Sequence, residues 1–335
     1  MVGTLIALDV MGGDDAPGAT LKGALAACSG KGALRVEPER LLLVGDKPRM
    51  ETLLRELGGD PGFQLQHASQ VVEMGDSPAQ ALRGKPDNSI ARCVQAVREG
   101  RASAVVGMGN TGACVGAATL GLGTIPGVRR PGIAVTLNLT GQPLTLLDMG
   151  ANIAPKPDHL LQYGAMGSVY AQSCLGQERP RVGLLNVGEE KGKGTELLKE
   201  AHELLETSGL EFVGNVEGGD IFRGVCDVVV TDGFTGNVIL KLLEQFAAFF
   251  MGKIMAELKK SGAALGDGGL GGLKASIDYK SYGGALLLGV NGVVIIGHGR
   301  SDEKAIANAI AQAVHASDAR VTELIERGLA APSSA

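Results

Sequence analysis

The sequence predicts an α/β protein in which a mainly parallel sheet is flanked by helices. Short apolar runs alternate with longer segments of helical periodicity along the whole chain, which is the order typical of βαβ units. Most of the short runs are continuously apolar, and such runs indicate strands that are covered on both faces, as in parallel sheets. Hydrophobic residues make up 44% of the 335 residues, so the chain can form the core that this class requires.

The strands and helices follow one another along the chain. Eleven short segments are predicted strands, because most are rich in Val, Ile and Leu and end at Gly, Asp or Asn. They are 5–10, 41–45, 63–67, 104–107, 133–137, 144–148, 182–187, 211–214, 227–231, 286–290 and 293–297. Eight longer segments have apolar residues three and four positions apart and are predicted helices. They are 19–29, 48–57, 88–99, 111–122, 158–175, 195–208, 237–260 and 302–326.

No internal repeat and no Pro/Ser-rich linker divides the chain. We therefore expect one domain over residues 1–328, with two lobes around a cleft, followed by a loose tail at 329–335. The 52 glycines are about twice the usual share. Such an excess indicates many tight turns or close approaches of the backbone to a ligand.

The composition argues against several classes of protein. The 31 Lys and Arg against 36 Asp and Glu give a net charge of −5, whereas a nucleic-acid binder carries a positive excess. The five cysteines are scattered without a CxxC pair, which argues against a disulfide framework or a zinc site and fits a reducing cytosol. Residues 1–10 lack the basic start of a secretory signal, and the apolar stretch 285–297 is too short to span a bilayer. We expect a soluble, cytoplasmic protein that binds no nucleic acid.

Six predicted strands end in segments rich in Gly, Asn and Asp. Ligands of open α/β sheets bind beyond the carboxyl ends of the strands. An ordinary turn with a helix cap explains any one of these segments, but six together predict a ligand site in one cleft. The segments are 9–14, 107–113, 148–152, 188–195, 232–237 and 298–299.

Two glycine-rich motifs within these segments point to a small anion. Residues 107–112 match GxGxxG, yet residues 113–147 contain no Asp or Glu to bind the ribose of a dinucleotide. Residues 191–195 (KGKGT) differ from a P-loop, because a glycine separates the second lysine from the threonine. We therefore expect no nicotinamide cofactor. Glycine-rich turns that open helices still offer free amides and a positive dipole to a phosphate-like group.

The signals for a nucleophile or a metal are weaker. Cys114 lies in an apolar helical run and is predicted to be a buried packing thiol. The five histidines share no ligand spacing, so no metal site is expected. His298 follows a predicted strand and is either a site residue or a capping partner of the helix that begins near residue 301.

In this order, the strand ends resemble those of the bacterial phosphate acyltransferases of phospholipid synthesis. The matching stretches cover nearly the whole chain and are specific as a set. They are ALDVMGGDDAP (7–17), GNTGA (109–113), LDMGANI (147–153), MGSVYA (166–171), LLNVGEEKGKG (184–194), VGNVEGGDIF (213–222), DVVVTDGFTGNVILK (227–241) and YGGALLLGVNGVVIIGHG (282–299). Two positions depart from the family: Met108 replaces a residue that is usually small, and Lys191 replaces a common Glu. Lys193 coincides with the family's lysine.

The resemblance implies a fold like that of isopropylmalate dehydrogenase or phosphotransacetylase, with a projecting helical hairpin. It implies an enzyme that transfers a long-chain acyl group from acyl-[acyl carrier protein] to inorganic phosphate and uses no cofactor. It also implies a homodimer that associates reversibly with the membrane surface. There a membrane glycerol-3-phosphate acyltransferase would consume the acyl phosphate for phospholipid synthesis.

This chemistry needs neither a covalent enzyme nucleophile nor a metal. Phosphate is already anionic at neutral pH, and the thiol that leaves has a pKa of about 8.5. Positioning and hydrogen-bond donors to the developing oxyanion can carry the reaction. The predicted phosphate ligands are Gly109, Asn110, Thr111, Gly112 and Lys193, and the predicted catalytic residues are Asn110, Lys193, Asn152, Asn237 and His298. Asp9, Asp14, Asp148 and Asp232 are predicted to orient loops.

Two other functions stay open at this stage. A nicotinamide-dependent dehydrogenase on the same fold is disfavoured by the missing ribose ligand and the missing carboxylate cluster for a metal. A non-catalytic module that binds acyl carrier protein or lipid would not need six polar strand ends. The basic pairs Arg129-Arg130 and Lys259-Lys260 are possible contacts for an acidic carrier protein, although solvated pairs are commoner.

The segment 237–282 is predicted to form a hairpin that serves dimerisation and membrane contact. Its helix, 237–260, has a narrow polar stripe and is apolar over most of the remaining surface. The stripe consists of Lys241, Glu244, Gln245, Lys253 and Glu257. Such a helix needs a second apolar surface, which is either a partner copy or, alternatively, the interior of one domain. The tip at 262–273 offers Leu265, Leu270 and Leu273 to the membrane.

Overall fold

The computed structural model describes residues 5–30, 35–138, 141–261 and 283–330. Within them, eleven strands form one sheet in the order β3-β2-β1-β4-β11-β10-β5-β6-β9-β7-β8. The predicted strands are confirmed, and their bounds differ by no more than two residues. The strands are β1 (Leu5–Asp9), β2 (Leu41–Gly45), β3 (Gln64–His67), β4 (Ala102–Gly107), β5 (Gly132–Leu137), β6 (Leu144–Leu147), β7 (Val182–Leu185), β8 (Phe212–Val216), β9 (Val228–Val230), β10 (Ala285–Leu288) and β11 (Val293–Ile296).

Two strands in the middle of the sheet reverse its direction. β10 is antiparallel to β11 and to β5, and β5 is also antiparallel to β6, whereas the other pairings described are parallel. The strands β1, β4 and β11 therefore end at one edge of the sheet, and β6, β7 and β9 end at the opposite edge. The six polar strand ends therefore do not all lie at one edge of the sheet, because strand direction depends on long-range pairing that local sequence does not specify.

Helices cover both faces of this sheet. In the described residues they are α1 (Gly18–Ser29), α2 (Lys47–Glu56), α3 (Pro78–Gly84), α4 (Ser89–Arg98), α5 (Thr111–Leu122), α6 (Pro157–Leu175), α7 (Glu196–Glu206), α8 (Gly233–Ser261), α9 (Glu303–Asp318) and α10 (Val321–Ala330). The predicted helix 302–326 is two helices, because Arg320 has a φ of 55°, a left-handed conformation that interrupts a helix. α3 is absent from the prediction, since its seven residues are too few for a clear period.

The long helix α8 begins four residues before its predicted start. Asp232 caps it, because the Asp232 carboxylate accepts the amides of Phe234 at 3.0 Å and Thr235 at 2.9 Å. At the other end of the chain, α10 runs to Ala330, so helix continues into the first residues of the predicted tail.

Two apolar clusters, one on each face of the sheet, form the core. Ile6 and Leu8 of β1 pack in one cluster with residues of α1, α6 and α9, whereas Ala7 packs in the other with residues of α4 and α5. Each fully buried Leu or Ile contributes about 1.5–3 kcal/mol relative to an exposed side chain. Burial of both faces is the physical reason for the continuous apolar runs in the sequence.

Only one side of α8 takes part in this packing. Ile239, Leu240 and Leu243 contact the core, while seven other large apolar side chains of the helix are 47% to 65% exposed. These are Phe234, Val238, Leu242, Phe246, Phe249, Phe250 and Met255. The alternative of a fully buried central helix is therefore wrong. The predicted membrane tip at 262–273 lies outside the described residues, and none of the described helices is long and apolar enough to cross a membrane.

Candidate active site

A cavity of about 440 Å³ lies over β5 and connects the two edges of the sheet. Its floor contains Ile133, Val135 and Leu137, which share one face of β5 because alternate side chains of a strand point the same way. One wall follows β4 and β11, and the opposite wall follows β6 and includes the first turns of α8. The cavity thus combines strand ends from opposite edges. The first wall includes Thr111, Gly112, Gly297, His298 and Gly299, and the second includes Gly150, Asn237, Lys241 and Glu244.

Glycines allow the ends of β1 and β4 to pack directly against each other. A Cβ atom on Gly12 would lie 2.8 Å from the amide nitrogen of Gly109 and 2.6 Å from Oδ2 of Asp9, so no side chain fits there. Met108 is buried beneath the cavity wall, where its sulfur occupies the place that a Cβ on Gly297 would need. Gly109 therefore supports the turn before α5, and the bulky Met108 fills space behind a glycine of the wall.

Asn110 connects this turn to the neighbouring loop. Its Oδ1 accepts the amide of Ala113 at 3.0 Å and so caps α5. Its Nδ2 donates to the carbonyl oxygens of Met74 at 3.1 Å and Asp76 at 2.9 Å. Both side-chain amide hydrogens are therefore used within the protein. The next two residues, Thr111 and Gly112, are exposed at the start of α5 and line the cavity.

Asp9 and Cys114 are buried below the same turn. Oδ1 of Asp9 accepts the amide of Met11 at 3.0 Å, and burial raises the pKa of Asp9 to about 6. Burial, followed by the nearby charge of Asp9, raises the pKa of Cys114 to about 12. The thiol is thus protonated at neutral pH, which makes it a poor nucleophile. Cys114 packs in the core, as the sequence predicts.

Asp148 organises the loop that follows β6. Its buried carboxylate accepts four main-chain amides at 2.8 to 3.0 Å. The donors are Ile133 of β5 and Gly150, Ala151 and Asn152 of the loop. Burial raises the pKa of Asp148, although the four amides oppose the rise. This geometry fixes the loop against β5 at the edge of the cavity.

The remaining acidic residue of the prediction lies at the opposite wall. The amide of Asp14 donates to the carbonyl of Gly299 at 2.8 Å, and Oδ2 of Asp14 lies 3.9 Å from Nε of Arg300. These contacts join the loop after β1 to the loop after β11. His298 precedes that contact, and its Nδ1 accepts the amide of Arg300 at 3.1 Å.

Asn152 and Lys193 do not line the cavity. Nδ2 of Asn152 lies 3.3 Å from the Tyr163 hydroxyl, and its carbonyl accepts the amide of Gly233 at 3.0 Å. Lys193 is exposed in the loop after β7, with its Nζ 3.9 Å from the Glu190 carboxylate. Of the predicted site residues, the cavity brings together Thr111, Gly112, Asn237 and His298.

Sequence reasoning missed two charged residues of the cavity. Lys241 and Glu244 belong to the polar stripe of α8, for which the sequence predicts no part in ligand binding, and both line the cavity. Burial raises the pKa of Glu244, and the charges of His298 and Lys241 oppose the rise. A signal was present, because Asn237, Lys241 and Glu244 are four and three residues apart and so share one helix face.

The polar end of the cavity is suited to a small anion, and its floor is suited to a hydrocarbon. The start of α5 presents unpaired main-chain amides and a positive dipole beside Thr111 and Gly112, and Lys241 adds a positive charge. Within the described chain, no group of three or more His, Cys, Asp or Glu side chains is arranged to hold a metal ion.

The fold is that of the phosphotransacetylase class. The chain resembles the crystal structure of a phosphotransacetylase from Streptococcus pyogenes with a TM-score of 0.61 and 17% sequence identity, over 94% of each chain. The predicted fold class is confirmed, including its likeness to phosphotransacetylase. At this identity, the comparison defines the fold alone.

Sequence comparison defines the family. A family model described as "Fatty acid synthesis protein" matches residues 4–324. A phosphate acyltransferase from Heliobacterium modesticaldum is 48% identical over 312 residues, which is 91% of each chain. Another, from Pelotomaculum thermopropionicum, is 45% identical over 332 residues, covering 97% of this chain and 94% of that one. The chain therefore belongs to the phosphate acyltransferase family, and the resemblance noted in the sequence is confirmed.

Proposed function

We propose that the protein transfers a long-chain fatty acyl group from acyl-[acyl carrier protein] to inorganic phosphate, giving acyl phosphate and free carrier protein. The observation that carries this proposal is the composition of the cavity. One side presents helix amides and a lysine, which suit phosphate, and the floor presents Ile133, Val135 and Leu137, which suit an acyl chain. Membership of the phosphate acyltransferase family supports the same reaction.

The reaction needs a bond exchange at one carbonyl carbon. A phosphate oxygen forms a bond to the thioester carbonyl carbon, and the carbonyl oxygen becomes negative. Collapse of this intermediate breaks the C–S bond. The sulfur leaves on the carrier protein, and the proton that the phosphate carried ends on the thiol. The enzyme's part is to position both reactants and to stabilise the oxyanion with donors fixed in place.

Six residues that line the cavity have a part in this proposal. The amides at Thr111 and Gly112 and the ammonium of Lys241 bind phosphate, while Asn237 and His298 are donors to the oxyanion. Glu244 stands beside His298 and Lys241 and sets the charge of the site. Gly109, Asn110, Asn152 and the four aspartates position the loops, as their contacts with main-chain groups support. Lys193 is not among the proposed phosphate ligands, because it is exposed beside Glu190 and does not line the cavity.

We also propose a homodimer formed through α8. Phe234, Val238, Leu242, Phe246 and Phe250 are spaced four residues apart and form an exposed apolar stripe along the helix. An exposed stripe of this length is typical of an interface rather than of a solvated surface. We further propose that the enzyme is cytoplasmic and binds the membrane surface reversibly through residues 262–273. There it delivers the acyl phosphate to a membrane glycerol-3-phosphate acyltransferase.

An activity assay tests the central claim. Purified protein, palmitoyl-[acyl carrier protein] and phosphate are incubated without nucleotide or added metal, and acyl phosphate is trapped with hydroxylamine. We expect palmitoyl hydroxamate that depends on both substrates. Absence of a trapped product from acyl donors of twelve to eighteen carbons, with folded protein, would contradict the proposed function.

A further inference from the structure

A groove of about 330 Å³ lies on the outer surface of α3, α4 and α5, apart from the active-site cavity. Leu82 of α3, Val94 and Arg98 of α4, and Ala117 and Leu120 of α5 line it. Leu120 is 81% exposed, which places a large apolar side chain in solvent at the groove. An exposed apolar groove of this kind is typical of a binding surface.

The groove lies in a basic segment of a protein that is acidic overall. Residues 78–101 contain five lysines and arginines against two acidic residues, so this segment carries a net charge of +3, while the chain carries −5. Three of the five cations are neutralised by ion pairs: Lys85 with Asp76, Arg92 with Asp87, and Arg101 with Glu99.

The other two cations are available to a partner. Arg83 follows Leu82 on α3, and Arg98 lines the groove. Both are exposed, and neither forms an ion pair within the described residues. Two exposed guanidinium groups beside an apolar floor are complementary to an acidic surface that also presents an apolar side chain.

The groove and the cavity are joined by one helix. Thr111 at the start of α5 lines the cavity, and Leu120 near its end lines the groove. Nine residues of helix separate them by about 13 Å. α3 follows the same path, since Pro78 at its start packs against Gly112 and Leu82 packs against Gly116. A flexible arm that starts at the groove can therefore reach the cavity along α5.

We propose that this groove is the docking surface for the acyl-carrying substrate protein, which rests on the proposed function. The occupant is an acidic carrier protein whose carboxylates pair with Arg83 and Arg98 and whose apolar side chain contacts Leu120. The thioester arm then enters the cavity past the start of α5. Charge attraction of this kind speeds association and weakens with salt.

Charge reversal separates docking from chemistry. Arg98→Glu and Arg83→Glu are compared with wild type, and Lys22→Glu, on the exposed surface of α1, is the matched control. Kinetics are measured with palmitoyl-[acyl carrier protein] and with palmitoyl-pantetheine, which has the arm but no protein. Each arginine variant is expected to raise KM for the carrier substrate about tenfold and to change kcat by less than about twofold. With palmitoyl-pantetheine, the arginine variants should have the KM and kcat of wild type. Lys22→Glu should match wild type with both donors.

Direct binding keeps the result independent of catalysis. The affinity for fluorescently labelled carrier protein is measured by anisotropy for the same variants and for Leu120→Ser, at two salt concentrations. Weaker binding by all three groove variants, with unchanged melting temperatures, is the expected outcome. Unchanged affinity would refute the docking surface even if the enzyme is active. If the groove variants bind the carrier protein more weakly but wild type gives no product from either donor, the proposed function is refuted instead.

Discussion

Glu244 of α8 and His298, which follows β11, line the same cavity although 54 residues separate them in the chain. Burial raises the pKa of the Glu244 carboxyl, and the charge of His298 opposes this rise. The charge of Lys241, one turn earlier on α8, also opposes the rise in the pKa of Glu244. The charge in the cavity is therefore set jointly by a helix and by a strand end.

The first prediction distinguishes the two lysines that are candidates for phosphate binding. Lys241→Ala should lower the rate by about 10²–10³-fold, the range measured for loss of one group that stabilises a developing charge. Lys193→Ala should lower it by less than about tenfold, because Lys193 is exposed beside Glu190. Steady-state kinetics at varied phosphate concentration measure both. A larger loss of rate in Lys193→Ala than in Lys241→Ala would identify Lys193 as the phosphate ligand, as predicted from the sequence.

Cys114→Ala provides the matched control for these variants. Cys114 is buried and its pKa is raised to about 12, so its removal should leave the rate within a few-fold of wild type. A folded but inactive Cys114 variant would contradict the non-covalent mechanism.

The second prediction concerns Asn110. Asn110→Ala removes the cap of α5 and two hydrogen bonds to the loop at 74–76, so it should lower the free energy of unfolding by about 1–3 kcal/mol. It should also raise KM for phosphate, since the loop and the turn lose their common anchor. Urea denaturation and kinetics provide the two measurements.

Asn88→Ala is the comparison variant for Asn110. Asn88 caps α4 by accepting the amide of Ala91 at 2.8 Å, and its Nδ2 donates to the carbonyl of Lys85 at 2.5 Å. It does not line the cavity, so the variant should lose comparable stability while KM for phosphate stays unchanged. Equal changes in KM would mean that Asn110 acts through general stability alone.

The third prediction concerns pH and Asp9. Burial raises the pKa of Asp9 in the folded protein to about 6, from 3.8. The folded state therefore holds this proton more tightly than the unfolded state. The resulting stabilisation is complete below pH 3.8, the ordinary pKa of the carboxyl, and is lost as the pH rises through about 6, its pKa in the folded protein. Asp9→Asn should remove this dependence. The variant should gain up to about 3 kcal/mol relative to wild type between pH 4 and pH 7, measured by urea unfolding at both pH values.

The fourth prediction concerns the apolar stripe of α8. Leu242→Lys combined with Phe246→Lys places two charges where we propose that a second copy packs. The double variant should sediment as a monomer at micromolar concentration, whereas wild type sediments as a dimer. Leu120→Ser, which alters a leucine that is outside the stripe and more exposed than Leu242, should leave the mass unchanged. A monomeric wild type would refute the proposed interface.

The sequence by itself determined the fold class and the positions of the strands. Continuous apolar runs and the polar residues that end them are local features, and burial of both sheet faces requires them wherever the strands lie in the sheet. It also determined the family, because the motifs at the strand ends match as a set despite the departures at Met108 and Lys191. The packing position of Cys114 followed from its apolar neighbours.

Only the tertiary structure decided which residues meet. β7 ends at the same edge as β6 but lies two strands farther along the sheet, beyond β9, so the loop after β7, with Lys193, does not line the cavity. Pairing between distant strands sets this order. The solvated or enclosed position of Lys241 and Glu244 depends on what α8 packs against, which a helical period does not specify. Likewise, the sequence around Asn110 predicts a helix cap. It does not show that the side-chain amide also donates to the carbonyls of Met74 and Asp76. Contacts between residues far apart in the chain decide each of these outcomes.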